Sequence, residues 1–178
     1  MYGVVSLLDE QHDKLVEALW AELAERFGLR GVSVTPFPHC SYQVAEQYAV
    51  SALEGILREV AARTAPFQAQ TTGLGIFTGA QPVLYIPVVR SLELSLFHQA
   101  LWQAISGIGA AINAYYHPDH WMPHITIGFP DLDRERLSGV ISLLSERSFT
   151  WNLTINNLAL ISDTGAPQEP HLRFNFGA

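Results

Sequence analysis

The sequence predicts an α+β fold built as two similar lobes related by a pseudo-twofold. Three observations carry that expectation. The order strand, helix, histidine-bearing strand, helix, strand can be read twice along the chain. Each pass contains a proline followed by a His-x-hydroxyl tripeptide on a β-rich run, "HCS" at 39–41 and "HIT" at 124–126. Finally, 48% apolar and 15% charged residues in 178 are ample for a core. The expected lobes are approximately 1–80 and 81–178, forming a single domain over 1–178 with room for strand exchange, because no low-complexity segment or long linker divides them.

"YGVVSLL" at 2–8 is β-rich, and Asp9 after it is placed to cap the helix "QHDKLVEALWAELAERFGL". In that helix Leu15, Leu19, Leu23 and Phe27 recur at helical spacing, and Gly28 and Gly31 close it. "VSVTPFPHCSYQVAE" reads as extended, with Pro36 and Pro38 fixing the approach to His39. "VSALEGILREVAARTA" is a second helix with the stripe Leu53, Ile56, Leu57 and Val60. "PFQAQTTGLGIFTG" reads as a strand ending in a glycine-rich turn; it lacks the Lys and Ser or Thr of a phosphate-binding P-loop. From Pro82 the order restarts with strand "PVLYIPVV", helix "SLELSLFHQALWQAISGIGAAI", strand "WMPHITIGF", helix "DRERLSGVISLLSER" and strand "FTWNLTINNLALISD". "HLRFNF" is a last short strand, and Gly79–Pro82 and "SDTGAPQEP" are the expected loops.

Ten basic against 17 acidic residues give a net charge of −7, which argues against an extended nucleic-acid surface but not against a short anionic ligand in a pocket. One cysteine, Cys40, excludes an intramolecular disulfide framework. The start "MYGVVSLLDE" lacks the features of a signal peptide, and no apolar run approaches the ~20 residues that span a bilayer, so the expected setting is cytoplasmic with no membrane partner.

The two tripeptides carry the chemistry. Alternation along a strand puts His39, Ser41 and Gln43 on one face and Cys40, Tyr42 and Val44 on the other. It likewise sets His124, Thr126 and Gly128 opposite Ile125, Ile127 and Phe129. The histidines are 85 positions apart, the offset of the two repeats, and a pseudo-twofold would turn both toward one groove. Paired imidazoles suit phosphoester chemistry, one taking a proton from the nucleophile and the other giving one to the leaving oxygen. Ser41 and Thr126 hydroxyls can donate to non-bridging phosphate oxygens. No metal and no cofactor are required by this scheme.

In these motifs the sequence resembles the 2H phosphoesterases, and within them the 2′-5′ RNA ligase-like proteins and cyclic nucleotide phosphodiesterases, whose signature is a pair of His-x-Thr/Ser motifs. The resemblance runs over nearly the whole chain in element order and is concentrated in residues 39–41 and 124–126. It implies lobes that are each a mainly antiparallel sheet with helices outside and a central groove between them. It implies hydrolysis of a 2′,3′-cyclic phosphate or related RNA-derived phosphodiester to a 2′-phosphate, with 2′-5′ ligation as the reverse chemistry. The implied partner is a small nucleotide or RNA terminus, the implied base His124 and the implied acid His39. Where many relatives carry a basic residue after the second motif this chain has Phe129 and Pro130, which argues against tight binding of a long RNA.

Other readings remain open. A degenerate relative could hold a nucleotide or RNA end without turning it over, and the acidic balance and Phe129 favour that alternative. "HPDHWMPH" offers His117, Asp119, His120 and His124 to a metal, but Pro118 and Pro123 break any helix that would align them. Cys40 alternates away from His39 and reads as core. Trp121, Tyr42 and Tyr116 are aromatic neighbours of the motifs, and Arg90 and Arg173 are weak candidates for phosphate contacts. His12, His98 and His171 read as surface or packing residues. Protein partners are not legible.

Overall fold

Asp9 caps the first helix as its position predicts: its carboxylate accepts the His12 backbone N–H at 3.1 Å, and Gly28 closes the far end at φ 70°. The computed structural model describes residues 1–35, 37–162 and 170–177; Pro36 and residues 163–169 of the expected loop lie outside the described residues. The elements run β1 (Tyr2–Leu7), α1 (Glu10–Phe27), β2 (His39–Tyr48), α2 (Val50–Arg63), β3 (Phe67–Gln70), β4 (Gly75–Phe77) and β5 (Val83–Pro87). They continue α3 (Leu92–Ile105), β6 (Gly109–Ile112), β7 (His124–Gly128), α4 (Arg134–Leu144), β8 (Asn152–Ile155), β9 (Asn157–Ser162) and β10 (Leu172–Asn175).

All the strand pairings are antiparallel, in a five-stranded sheet ordered β10-β9-β1-β2-β6, a three-stranded sheet β4-β5-β7 and the pair β3-β8. Each sheet draws strands from both sides of residue 80. The α+β class expected from the sequence is therefore the observed one. β2 and β7, which carry the two tripeptides, meet where the larger sheets adjoin, and the Trp121 indole N–H donates to the Ser41 carbonyl at 2.8 Å across that seam.

Several elements differ from expectation. Gly31–Val34 is a turn of 3-10 helix rather than extended chain. The third helix stops at Ile105, because Gly107 and Gly109 weaken its continuation, and its last residues become β6 on the edge of the large sheet. "FTWNLTINNLALISD" breaks at Asn156 into β8 and β9, which serve different sheets. The Asn157 side chain then bonds both the N–H and the C=O of Leu7, at 3.0 and 2.9 Å, locking β9 beside β1. "GLGIFTG" contains a strand, β4, rather than only a turn. In α1 the buried stripe is His12, Val16, Leu19 and Leu23, with Leu15 exposed, since a strict four-residue repeat drifts about 40° per step around a helix.

The core runs through the molecule from Leu23 and Leu53 to Ile125 and Leu158, with Tyr42 and Trp121 as its largest fully buried side chains. Cys40 belongs to it, and burial raises its thiol to about 12, which keeps it unreactive.

Candidate functional site

The geometry of β2 decides what faces the site. Opposite Val4 and Val5 its register slips by one residue, a β-bulge, and alternation changes phase beyond Ser41. His39 and Ser41 still share a face, but Val44 joins them there. Gln43, expected on that face, is buried and donates to the Ser106 hydroxyl at 3.1 Å while accepting from Tyr48 at 3.0 Å. β7 slips at the equivalent place, between Thr126 and Gly128 opposite Tyr85 and Leu84: Ile125, Ile127 and Gly128 are buried while His124 and Thr126 are half-buried.

His39, Ser41 and Thr126 line one cavity of about 330 Å³, together with Trp20, Tyr116 and Phe129. His124 is not among the lining residues, yet it stands close enough that its charge opposes protonation of His39. Both imidazoles are held in the same way. His39 Nδ1–H donates to the carbonyl of Phe37 at 2.5 Å, and His124 Nδ1–H to the carbonyl of Met122 at 2.7 Å. Each acceptor lies two residues upstream, across the intervening proline. A carbonyl only accepts, so Nδ1 carries the proton and the neutral ring presents Nε2 as an acceptor.

Burial lowers both histidines. His39 falls from 6.5 to about 4, the Phe37 bond opposing that shift and His124 adding to it. His124 is lowered by burial against the Met122 bond. His124 is also walled by rings, with Phe77 edge-on at 5.0 Å and Tyr85 at 5.2 Å. Those two rings stack at 4.2 Å, and Tyr85 lies so close over Gly75 that a Cβ there would sit 2.4 Å from its ring.

The remaining candidates separate clearly. Tyr116 lines the cavity with its phenol against the Ser41 hydroxyl, whereas Tyr42 and Trp121 are core. The Arg90 guanidinium donates to the carbonyls of Pro118 and Trp121, which fixes the loop before β7 and leaves it off the cavity. Arg173 lines a second cavity, near Asp13. His117 approaches Asp119 at 3.5 Å, but among the described residues no three His, Cys, Asp or Glu side chains converge as a metal site would need. His12 bonds Asp9 at 2.7 Å, and His171 bonds the Ser162 hydroxyl at 2.8 Å. His98 is wholly buried, its Nε2–H donating to the Tyr42 carbonyl at 2.9 Å and its ring stacked on Trp121 at 3.8 Å.

Trp20 was not foreseen. It follows Leu19 on α1, and its indole N–H donates to the Thr126 carbonyl at 3.3 Å, which sets the ring in the cavity wall. The helical pattern marks only that the residue borders the buried stripe.

Comparison with solved structures shows the same fold in TT0787 of Thermus thermophilus, at TM-score 0.65 and 16% identity over 98% of this chain and 97% of that one. Escherichia coli LigT complexed with NADP+ matches at TM-score 0.62 and 12% identity, covering 99% and 97%. LigT complexed with 3′-AMP matches at 0.60 and 13%, covering 98% and 97%. No curated protein sequence gives a significant match. The model of the 2′-5′ RNA ligase superfamily matches residues 8–167, a span that contains both tripeptides and most of every sheet, and the chain is a member of that superfamily of 2H phosphoesterases.

Proposed function

We propose that residues 1–178 act as one metal-independent phosphoesterase that hydrolyses a 2′,3′-cyclic phosphate, or a related RNA-derived phosphodiester, to a 2′-phosphate, the two approximate lobes supplying one histidine each. The observation that carries this reading is the matched pair of imidazoles, each fixed through Nδ1–H to a carbonyl two residues upstream and near enough for the charge of one to act on the other, with His39, Ser41 and Thr126 in one cavity wall. LigT is complexed with NADP+ and with 3′-AMP, and a nucleotide-sized ligand suits a cavity of about 330 Å³ here.

In the proposed reaction one neutral Nε2 takes a proton from water as the water oxygen bonds to phosphorus. The bond from phosphorus to the 3′ oxygen breaks, and the other imidazole, protonated, gives its proton to that oxygen. Ser41 and Thr126 donate to the non-bridging oxygens as charge moves onto them. The sequence suggested His124 as base and His39 as acid. Deeper desolvation of His39 favours the opposite division, since the single proton of the pair then rests on His124. With a 5′-hydroxyl in place of water as the nucleophile, the same proton transfers open the ring into a 2′-5′ linkage as the bond to the 3′ oxygen breaks, so 2′-5′ ligation belongs to the proposal as a parallel reaction of the cyclic phosphate.

The test is turnover of 2′,3′-cyclic nucleotides by purified protein in EDTA. Activity should persist with chelator, and His39→Ala and His124→Ala should each lose on the order of 10²–10⁴-fold. Turnover that survives both substitutions would sink the assignment. The alternative, a binding module, is favoured by the want of a basic side chain in the cavity wall; it predicts thermal stabilisation by nucleotide without product.

A further inference from the structure

One extra residue in β2 decides which of its side chains reach the cavity. Val4 pairs with Gln43 and Val5 with Ser41, so Tyr42 is the unpaired residue of the bulge. In an unbroken strand Ser41 would share the face of Gln43, which is fully buried. The bulge reverses the alternation, sends Tyr42 into the core and brings Ser41 into the cavity wall. A bulge interrupts the ladder, and buried backbone groups there need other partners. β6 does not meet them, because it pairs with β2 only from Ala45 to Tyr48.

Two side chains do. The Trp121 indole N–H donates to the Ser41 carbonyl at 2.8 Å, and His98 Nε2–H, from α3, donates to the Tyr42 carbonyl at 2.9 Å. The two rings stack at 3.8 Å with 28° between their planes, and both are buried. Trp121 is itself fixed at both ends of its backbone: its N–H donates to the His117 carbonyl at 2.9 Å, and its carbonyl accepts from Arg90 at 3.3 Å. On the core side the Tyr42 phenol meets the Ser6 hydroxyl at 2.9 Å. The second motif shows a looser counterpart, since the register slip after Thr126 is accompanied by the Trp20 indole on the Thr126 carbonyl at 3.3 Å. There the ring lines the cavity, whereas neither Trp121 nor His98 does.

We infer that Trp121 and His98 are positioning residues for Ser41: the stacked pair holds the carbonyls of Ser41 and Tyr42, maintains the bulge, and so keeps the Ser41 hydroxyl turned toward a bound phosphate. The inference rests on the phosphoesterase reading, in which that hydroxyl donates to a non-bridging oxygen. Trp121 stands three residues before His124, so the same pair sets the hydroxyl of the first motif against the approach to the second.

The test is a double-mutant cycle on kcat and KM for adenosine 2′,3′-cyclic phosphate, with calorimetric affinity for 3′-AMP measured in the same proteins and urea unfolding to show that each is folded. Trp121→Phe keeps a ring against His98 and removes the donor; it should lower kcat about tenfold and change KM less. His98→Leu should do the same, whereas His98→Gln, which keeps a donor, should stay within about threefold of wild type. On a Ser41→Ala background, Trp121→Phe and His98→Leu should each lower kcat by less than about twofold further, because the group they position is gone. Should Trp121→Phe not fold, the two His98 variants make the same comparison. Tenfold losses that persist undiminished in Ser41→Ala overturn the inference alone, and so does wild-type kcat in folded Trp121→Phe or His98→Leu. Binding of 3′-AMP without turnover overturns the phosphoesterase reading; the cycle is then read in Kd, where additive effects overturn the positioning role and non-additive ones uphold it. Absence of both turnover and binding in the wild type overturns the two together.

Discussion

The imidazoles at positions 39 and 124 share one device, an Nδ1–H held by the carbonyl two residues back. That device fixes the tautomer, and burial then sets the pH range. The histidine pattern alone would place a bell-shaped profile between about pH 5 and 8. With His39 lowered to about 4 and His124 lowered as well, the bell moves to acid. The base becomes protonated, and activity is lost, only as pH falls toward about 4; the acid becomes deprotonated, and activity declines, before pH 6.5 is passed. Profiles of kcat/KM from about pH 4 to 9 should therefore peak below about 6.5, and an optimum above about 7 would contradict the burial argument. Trp20 gives a separate expectation: Trp20→Ala should raise KM for a cyclic nucleotide about tenfold and change kcat little, because base stacking contributes ~1–3 kcal/mol. Equal KM values in the two proteins would remove Trp20 from the binding surface.

The elements show where sequence reasoning holds and where it stops. His39 with Ser41, and His124 with Thr126, could be read because period-two alternation is local to a strand. Gln43 and Val44 exchanged faces because the bulge depends on what β1 presents across the ladder, which no stretch of β2 records. β4 was hidden inside "GLGIFTG" for a related reason: the second glycine of that stretch, Gly75, serves the close approach of Tyr85 rather than a turn. Gly75→Ala should displace that ring, and with it the wall beside His124. We expect a loss of about 1–3 kcal/mol in denaturant unfolding and a fall in kcat larger than any change in KM. A variant with wild-type kcat would show that Tyr85 and Phe77 do not orient the imidazole.

For the molecule as a whole, the α+β class was legible because apolar periodicity survives in each segment, but the distribution of strands among sheets was not. β8 and β9 are consecutive in the chain and pair with β3 and β1, a choice made by long-range packing. Global stability should carry the mark of buried His98. Its ring is lowered from 6.5 to about 4 by desolvation, so between those values the unfolded chain binds more protons than the native one, and stability falls as pH falls. The loss should be on the order of 3 kcal/mol between pH 6.5 and 4. Urea unfolding of wild type and His98→Gln across that range tests it: the variant keeps a donor for the Tyr42 carbonyl and should show the shallower slope. Parallel slopes would place the pH sensitivity elsewhere.

The position of β1 between β2 and β9 also matters while the protein is being made. Tyr2 pairs with Ala45 on one side and with Ser162 on the other. On the ribosome the first partner is available early, but the second is translated only after some 160 residues. Until then the nascent chain holds an open strand edge whose Val4 and Val5 are fully buried in the finished protein. Such an edge is a template for wrong pairing, so the interval before β9 emerges is when this chain most depends on chaperones.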